Sequence, residues 1–263
     1  MAYTTAETSR NWSPATHRQS GRLRFLGLRF SRFNQGEVLA MLAGRETGAP
    51  FAYLTTPNVQ HVVVADQDHA MRPWLDEAWL SLCDSRPIRQ LGRWSGLDLP
   101  LVTGSDLTVA LFGEVVQAGD QISVICSSRE AADRLRVARP DLKWDIMVPP
   151  QKVVLGTVAF AECVRFVADS QARFTFVSLG APKSEAICYA ARGLPGAKGT
   201  ALCTGAALEF MLGLKRRAPV AVQRLGLEWL YRAFTEPKRL AGRYFSAMQP
   251  LMRIWLTDRM RAR

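Results

Sequence analysis

The residue best placed to move a proton in this chain is Asp84. It closes the apolar run "WLSLC" and opens "DSRP", which sets a carboxylate on a turn at the end of a strand. A carboxylate there can accept a proton from an attacking hydroxyl, the task of a general base. Taken alone, an Asp that caps the next turn is the structural alternative. Asn58 ends "FAYLTTPN" in the same way, just after Thr56-Pro57, and an amide at that point can orient a sugar hydroxyl. A third strand end carries Gly180-Ala181-Pro182-Lys183, and the helix N-terminus that follows can receive a phosphate or a carboxylate. Alone, each of these is also what an ordinary turn looks like.

Other chemistry is thinly represented. There is no G-x-x-x-x-G-K-[ST] loop and no G-x-G-x-x-G. "ADQDHA" contains Asp66-x-Asp68 beside His69, in the manner of a metal-binding Asp-x-Asp, but it sits in a polar helical stretch. Surface acids or an N-cap are the expected roles there. His61 reads as a helix-face residue. The five cysteines stand singly with no C-x-x-C pair, which points to reduced core thiols rather than a disulfide frame or a zinc site.

The elements that hold these residues follow from periodicity. "DQISVICSSREAADRLRVARP" reads as a short buried strand, a Ser-Ser turn and an amphipathic helix closed near Pro140. "RFTFVSLGAPKSEAICYAAR" repeats the plan around its Gly-Ala-Pro turn. Strands, turns and helices at this spacing predict an α/β fold with a Rossmann-like parallel sheet flanked by helices. In such sheets ligands bind where strand carboxyl ends meet helix N-termini. Residues 1–22 are polar and aperiodic and are expected to form a flexible arm. Residues 23–214 form the core, and residues 215–263 a basic helical appendage.

That appendage holds most of the basic excess. Net charge is +11 overall, and from Lys215 onward 12 Lys/Arg face 3 acids, a local net of +9. Cations alternate there with Trp229, Leu230, Tyr231, Phe234, Tyr244 and Phe245, a mixture that suits an anionic lipid surface or phosphate. Without an apolar leader or an uncharged run long enough to span a bilayer, the expected location is cytoplasmic, peripheral to the inner face of the membrane.

Taken together, "TTPNVQHVVVA", "CDSRPIRQLGRWSGLDLPLVTGSDL", "FVSLGAPKSEAI" and "RRAPVAVQRLGLEWLYRAFTEPKRLAGRY" resemble the WecG/TagA/CpsF family of bacterial glycosyltransferases over roughly residues 24–247. The resemblance implies an inverting enzyme that uses neither metal nor other cofactor. It would move a sugar from a UDP-sugar to a polyprenyl-diphosphate-linked acceptor in exopolysaccharide or cell-surface glycan synthesis. It assigns the catalytic base to Asp84 and a polar pair near the sugar to Thr56 and Asn58. Gly180, Pro182 and Glu185 match the family's substrate-binding turn. Arg232, Arg239 and Arg243 are expected to hold diphosphate.

The chain departs from the family pattern at four places. Ser85 replaces a Gly, Ser184 a Gln, and Leu101 an Arg, for which Arg86 or Arg93 are the candidate substitutes. Cys126-Ser127-Ser128 replaces a Gly-rich turn. These changes surround the substrate pockets and leave glucose, glucuronic acid and N-acetylmannosamine open as donor sugars. A non-catalytic scaffold in a polysaccharide assembly complex is the main rival reading. A nucleic-acid binder has only the charge in its favour, so no nucleic-acid partner is expected. Oligomeric state stays open between a monomer and a homo-oligomer.

Overall fold

The computed structural model describes residues 21–150, 152–215, 222 and 242–261. Two short strands come first, β1 (Arg22–Phe25) and β2 (Leu28–Ser31), paired antiparallel. Their turn is Leu26-Gly27 with both φ values positive, 52° and 77°, as a tight two-residue hairpin requires. Arg22, at the edge of the expected arm, belongs to the fold: its guanidinium donates to the carbonyls of Asp76 (2.7 Å) and Trp79 (2.9 Å).

Helix α1 (Gln35–Ala43) follows, started by a capping box between Asn34 and Glu37. Then strands and helices alternate. β3 (Ala52–Thr55) leads to α2 (Val59–Gln67) and α3 (Arg72–Asp76), and β4 (Leu80–Ser81) to α4 (Arg86–Trp94) and α5 (Gly104–Glu114). β5 (Gln121–Ile125) leads to α6 (Arg129–Ala138), and β6 (Lys143–Met147) to α7 (Val158–Asp169). β7 (Phe174–Val177) leads to α8 (Lys183–Arg192), and β8 (Thr200–Cys203) to α9 (Ala207–Met211). The last described helix is α10 (Gly242–Arg261).

Strands β3 to β8 form one six-stranded sheet in the order β4-β3-β8-β7-β5-β6, and every pairing is parallel. Both faces of a parallel sheet must be covered, and strand periodicity divides the side chains between them. Leu54, Val124, Phe176 and Leu202 face one cluster with α1, α5, α6 and α9. Tyr53, Ile125, Ala201 and Cys203 face another with α7 and α8. The parallel α/β sheet expected from the sequence is the architecture of the protein.

A third cluster lies beside the sheet. It joins Phe25, Leu28 and Phe30 of the hairpin, Val62 and Val63 of α2, Ile88 and Leu91 of α4, and Leu251, Ile254 and Trp255 of α10. Trp255 Nε1 donates to Ser95 Oγ at 2.9 Å, and the Leu26 amide donates to Asp258 Oδ2 at 3.1 Å. Among the described residues no helix is long and apolar enough to cross a membrane.

All five cysteines are buried and free. Burial pushes the Cys83 and Cys126 thiols up to about 12 and that of Cys163 up to about 11. A thiol reagent at neutral pH should therefore label none of them quickly in the native protein and all of them after denaturation. A cysteine that reacts within minutes in the native state would contradict this packing.

Candidate active site

The candidate residues converge on the carboxyl edge of the sheet because each follows a strand. β3 ends at Thr55 and continues into Thr56-Pro57-Asn58. Thr56 is buried, and its hydroxyl donates to the Cys203 carbonyl at 3.2 Å, which ties the end of β3 to the end of β8. Asn58 caps α2, its side-chain oxygen accepting the Gln60 amide at 3.0 Å.

Asp84 lies past the end of β4, half-buried. Its backbone amide donates to the Pro57 carbonyl at 3.0 Å, which binds it to the Thr56–Asn58 segment. Its carboxylate Oδ2 accepts the Gly104 amide at 3.3 Å. Gly104 is the first residue of α5, so the carboxylate meets the positive end of that helix. A β-carbon on Gly104 would stand 3.1 Å from the Thr204 carbonyl and 3.2 Å from Thr56 Oγ1. A larger residue would need the Thr204 or Thr56 segment to give by a few tenths of an ångström, so glycine is what lets α5 start this close to the ends of β3 and β8 without strain. Thr103 caps the same helix by accepting the Asp106 amide at 3.1 Å. The "TGSDL" stretch is thus the device that brings a helix N-terminus to Asp84.

Ser85 caps α4 through the Ile88 amide at 3.3 Å. Arg86 opens that helix, half-buried and adjacent to the site, whereas Arg93 is exposed in its last turn, about 10 Å further along at 1.5 Å per residue. Leu101 packs against the third cluster.

On the other side of β8, Gly180 takes a positive φ of 76° and leads through Ala181-Pro182 into α8. Pro182 occupies the N-cap, and Ser184 Oγ donates to the Gly180 carbonyl at 3.4 Å. Glu185, in the first turn, is buried, and its Oε1 lies 3.2 Å from His61 Nε2. His61 is therefore no surface residue of α2. The Ser127-Ser128 turn is also anchored. Ser128 caps α6, and Ser127 Oγ donates to Glu209 Oε1 at 2.7 Å while Lys215 pairs with the other oxygen.

Six buried side-chain oxygens among the described residues have no hydrogen-bond partner: those of Thr55, Ser81, Thr108, Ser178 and Thr204, and Oε2 of Glu185. Thr55, Ser81, Ser178 and Thr204 sit at the carboxyl ends of β3, β4, β7 and β8, and Glu185 in the first turn of the helix that follows β7. Buried polar atoms are almost always paired, so a concentration of unpaired ones marks where a ligand or its waters belong. A cleft of about 780 Å³ lined by Arg24, Asp66, His69, Arg72, Arg253 and Asp258 lies at the opposite end of α2 and includes none of the candidate residues. Asp66 is bound there to Arg253 at 2.7 Å, and Asp68 caps the His69–Met71 turn, so the Asp-x-Asp pattern is structural.

Arg232 and Arg239 lie outside the described residues. Arg243 stands in the first turn of α10, and its side chain lies outside them as well. The structure thus gathers Thr56, Asn58, Asp84, Arg86, Gly180, Pro182 and Glu185 at one sheet edge and leaves Arg93 apart. Sequence reasoning passed over Gly104 and read His61 only as a helix-face residue. The glycine stood in a quoted motif, and a positive sign for the histidine existed in its N3 position after a capping Asn.

An α/β parallel sheet with a carboxylate and polar turns at its carboxyl edge suits transfer chemistry on a phosphorylated ligand. A sequence model of the glycosyl transferase WecG/TagA/CpsF family matches residues 23–263, nearly the whole length, and the chain belongs to that family of glycosyltransferases.

Proposed function

We propose that the protein is an inverting glycosyltransferase that takes a sugar from a UDP-sugar and attaches it to a polyprenyl-diphosphate-linked saccharide. The observation that carries this reading is Asp84, whose carboxylate stands at the sheet's carboxyl edge against the amide of Gly104 at 3.3 Å. In the reaction, Asp84 takes the proton of the acceptor hydroxyl. The freed oxygen pair forms a bond to the donor's anomeric carbon, and the bond from that carbon to the diphosphate breaks on the opposite face. The electron pair leaves with UDP, and the anomeric configuration inverts.

Asp84 follows β4 and Glu185 follows β7, three strand positions away in the sheet order. At the usual strand spacing that is about 14 Å of backbone separation. The interval suits two sugar rings between the side chains, with the acceptor at Asp84 and the donor sugar toward Thr56, Asn58 and Glu185. Charge on the departing UDP falls to helix N-termini and to Arg86, Arg232, Arg239 and Arg243. The basic, aromatic C-terminal segment is the part suited to the inner face of the cytoplasmic membrane, where a lipid-linked acceptor resides.

The test is donor-dependent transfer in membranes or detergent. UDP-glucose, UDP-glucuronic acid and UDP-N-acetylmannosamine are offered separately with polyprenyl-diphosphate-linked mono- and disaccharides. Transfer from one donor, with the anomeric centre inverted in the product, is the expected result. A protein that binds no UDP and transfers from none would overturn the enzyme reading in favour of a scaffold.

A further inference from the structure

His61 and Glu185 form a contact that the chemistry above does not use. The two residues are 124 positions apart in sequence, and their side chains meet at 3.2 Å in the interior, 5% and 4% exposed. His61 belongs to the helix after β3 and Glu185 to the helix after β7, and β8 runs between those strands. The imidazole also turns back to its own helix cap. The Asn58 backbone amide donates to Nδ1 at 3.2 Å, and Asn58 Oδ1 lies 3.1 Å from the same atom. With Nδ1 accepting from the backbone amide, Asn58 Oδ1, which already accepts the Gln60 amide, touches Nδ1 without a hydrogen bond to it. In that tautomer the neutral ring carries its proton on Nε2, which faces Glu185 Oε1.

That proton is the one hydrogen bond the Glu185 carboxylate receives from any described residue, because its Oε2 has no partner. The orientation of Glu185 therefore depends on His61. A buried pair of this kind gives little stability beyond what a well-packed apolar pair of similar volume provides. Stability alone supplies no reason for it, whereas its position between two turns of the candidate site does.

We infer that His61 is the positioning residue of the donor-sugar subsite: one imidazole joins the Asn58 cap to the Glu185 carboxylate, so that the turns on either side of β8 are held as one unit. This rests on the glycosyl-transfer reading above. Glu185 and Asn58 are the residues that meet the sugar, and His61 acts through them.

The test compares His61→Leu, His61→Gln, Glu185→Gln and the His61→Leu/Glu185→Gln double variant. Their donor KM, kcat and melting temperature are measured in the full-length protein. His61→Leu should raise donor KM about tenfold or more with much less change in kcat, the scale of one lost hydrogen bond to a charged group. His61→Gln, whose amide can still donate to Glu185, should recover most of the loss. The double variant should be no worse than the more impaired single variant, as for residues that act as a unit.

If His61→Leu does not fold, ring nitrogen NMR of the wild type and Glu185→Gln decides. The proton is expected on Nε2 in the wild type, with its resonance displaced in Glu185→Gln. A ring proton on Nδ1, or His61→Leu kinetics equal to wild type, would overturn the inference and leave the transfer reading standing. Wild-type protein that transfers from no donor would instead remove the reading on which it rests.

Discussion

Replacing Asp84 by Asn is expected to lower transfer by roughly 10²- to 10⁴-fold, the usual worth of a positioned general base. UDP affinity and melting temperature should stay near wild type. The substitution is nearly isosteric, and the Asn side-chain oxygen can still accept the Gly104 amide that Asp84 Oδ2 accepts at 3.3 Å. The Asp84 backbone link to Pro57 at 3.0 Å is unaffected. What disappears is the capacity to take a proton from the acceptor, so the loss belongs in kcat. The check is steady-state kinetics with calorimetric UDP titration of both proteins. Turnover at the wild-type rate would refute Asp84 as the base. Lost UDP binding would instead make it a residue of the donor pocket.

The second large effect concerns stability. Leu251 is fully buried in the cluster shared with the hairpin and α2, and Trp255 nearly so, beside Trp94 and Ser95 at the end of α4. Truncating a buried Leu to Ala costs about 2–5 kcal/mol and a Trp about 3–5 kcal/mol. Against the 5–15 kcal/mol of a typical domain, either change is a large fraction. For a domain of this size, Leu251→Ala should lower the melting temperature by roughly 5–15 °C. Removal of the whole helix from residue 242 onward should prevent a cooperative transition. The measurement is a thermal melt followed by circular dichroism. A truncated chain that melts where the full chain does would make α10 a detachable appendage rather than a wall of the third cluster.

The parallel sheet and the position of Asp84 were legible because both are local signals. An apolar run followed by Asp, or by Ser-Ser or Gly-Ala-Pro and then a helical period, reports a strand end without knowledge of anything distant. The His61–Glu185 contact was not legible, since neither helix carries a mark of the other and only the order β3-β8-β7 brings them together. Gly104 was visible as a letter, but its reason was not: the crowding that favours glycine comes from Thr56 and Thr204, on two other segments. The hairpin had a sign in "LRFLGLRF", an apolar repeat about Leu-Gly. The binding of α10 to that hairpin had none. The same physical limit separates them, because packing between amphipathic faces is selected by shape and not by spacing along the chain.

The bond from the Leu26 amide to Asp258 closes a loop of 232 residues. During synthesis, at about 5–20 residues per second, the hairpin leaves the ribosome roughly 10–50 s before the helix that completes its cluster. Throughout that interval Phe25, Leu28 and Phe30 lack Leu251, Ile254 and Trp255. The helix that carries Asn58 and His61 rests on the same incomplete cluster. The two halves of the sheet can form in order as they emerge, but this wall waits for the far end of the chain. The wall of the third cluster, on which the start of α2 rests, is therefore complete only once α10 has emerged.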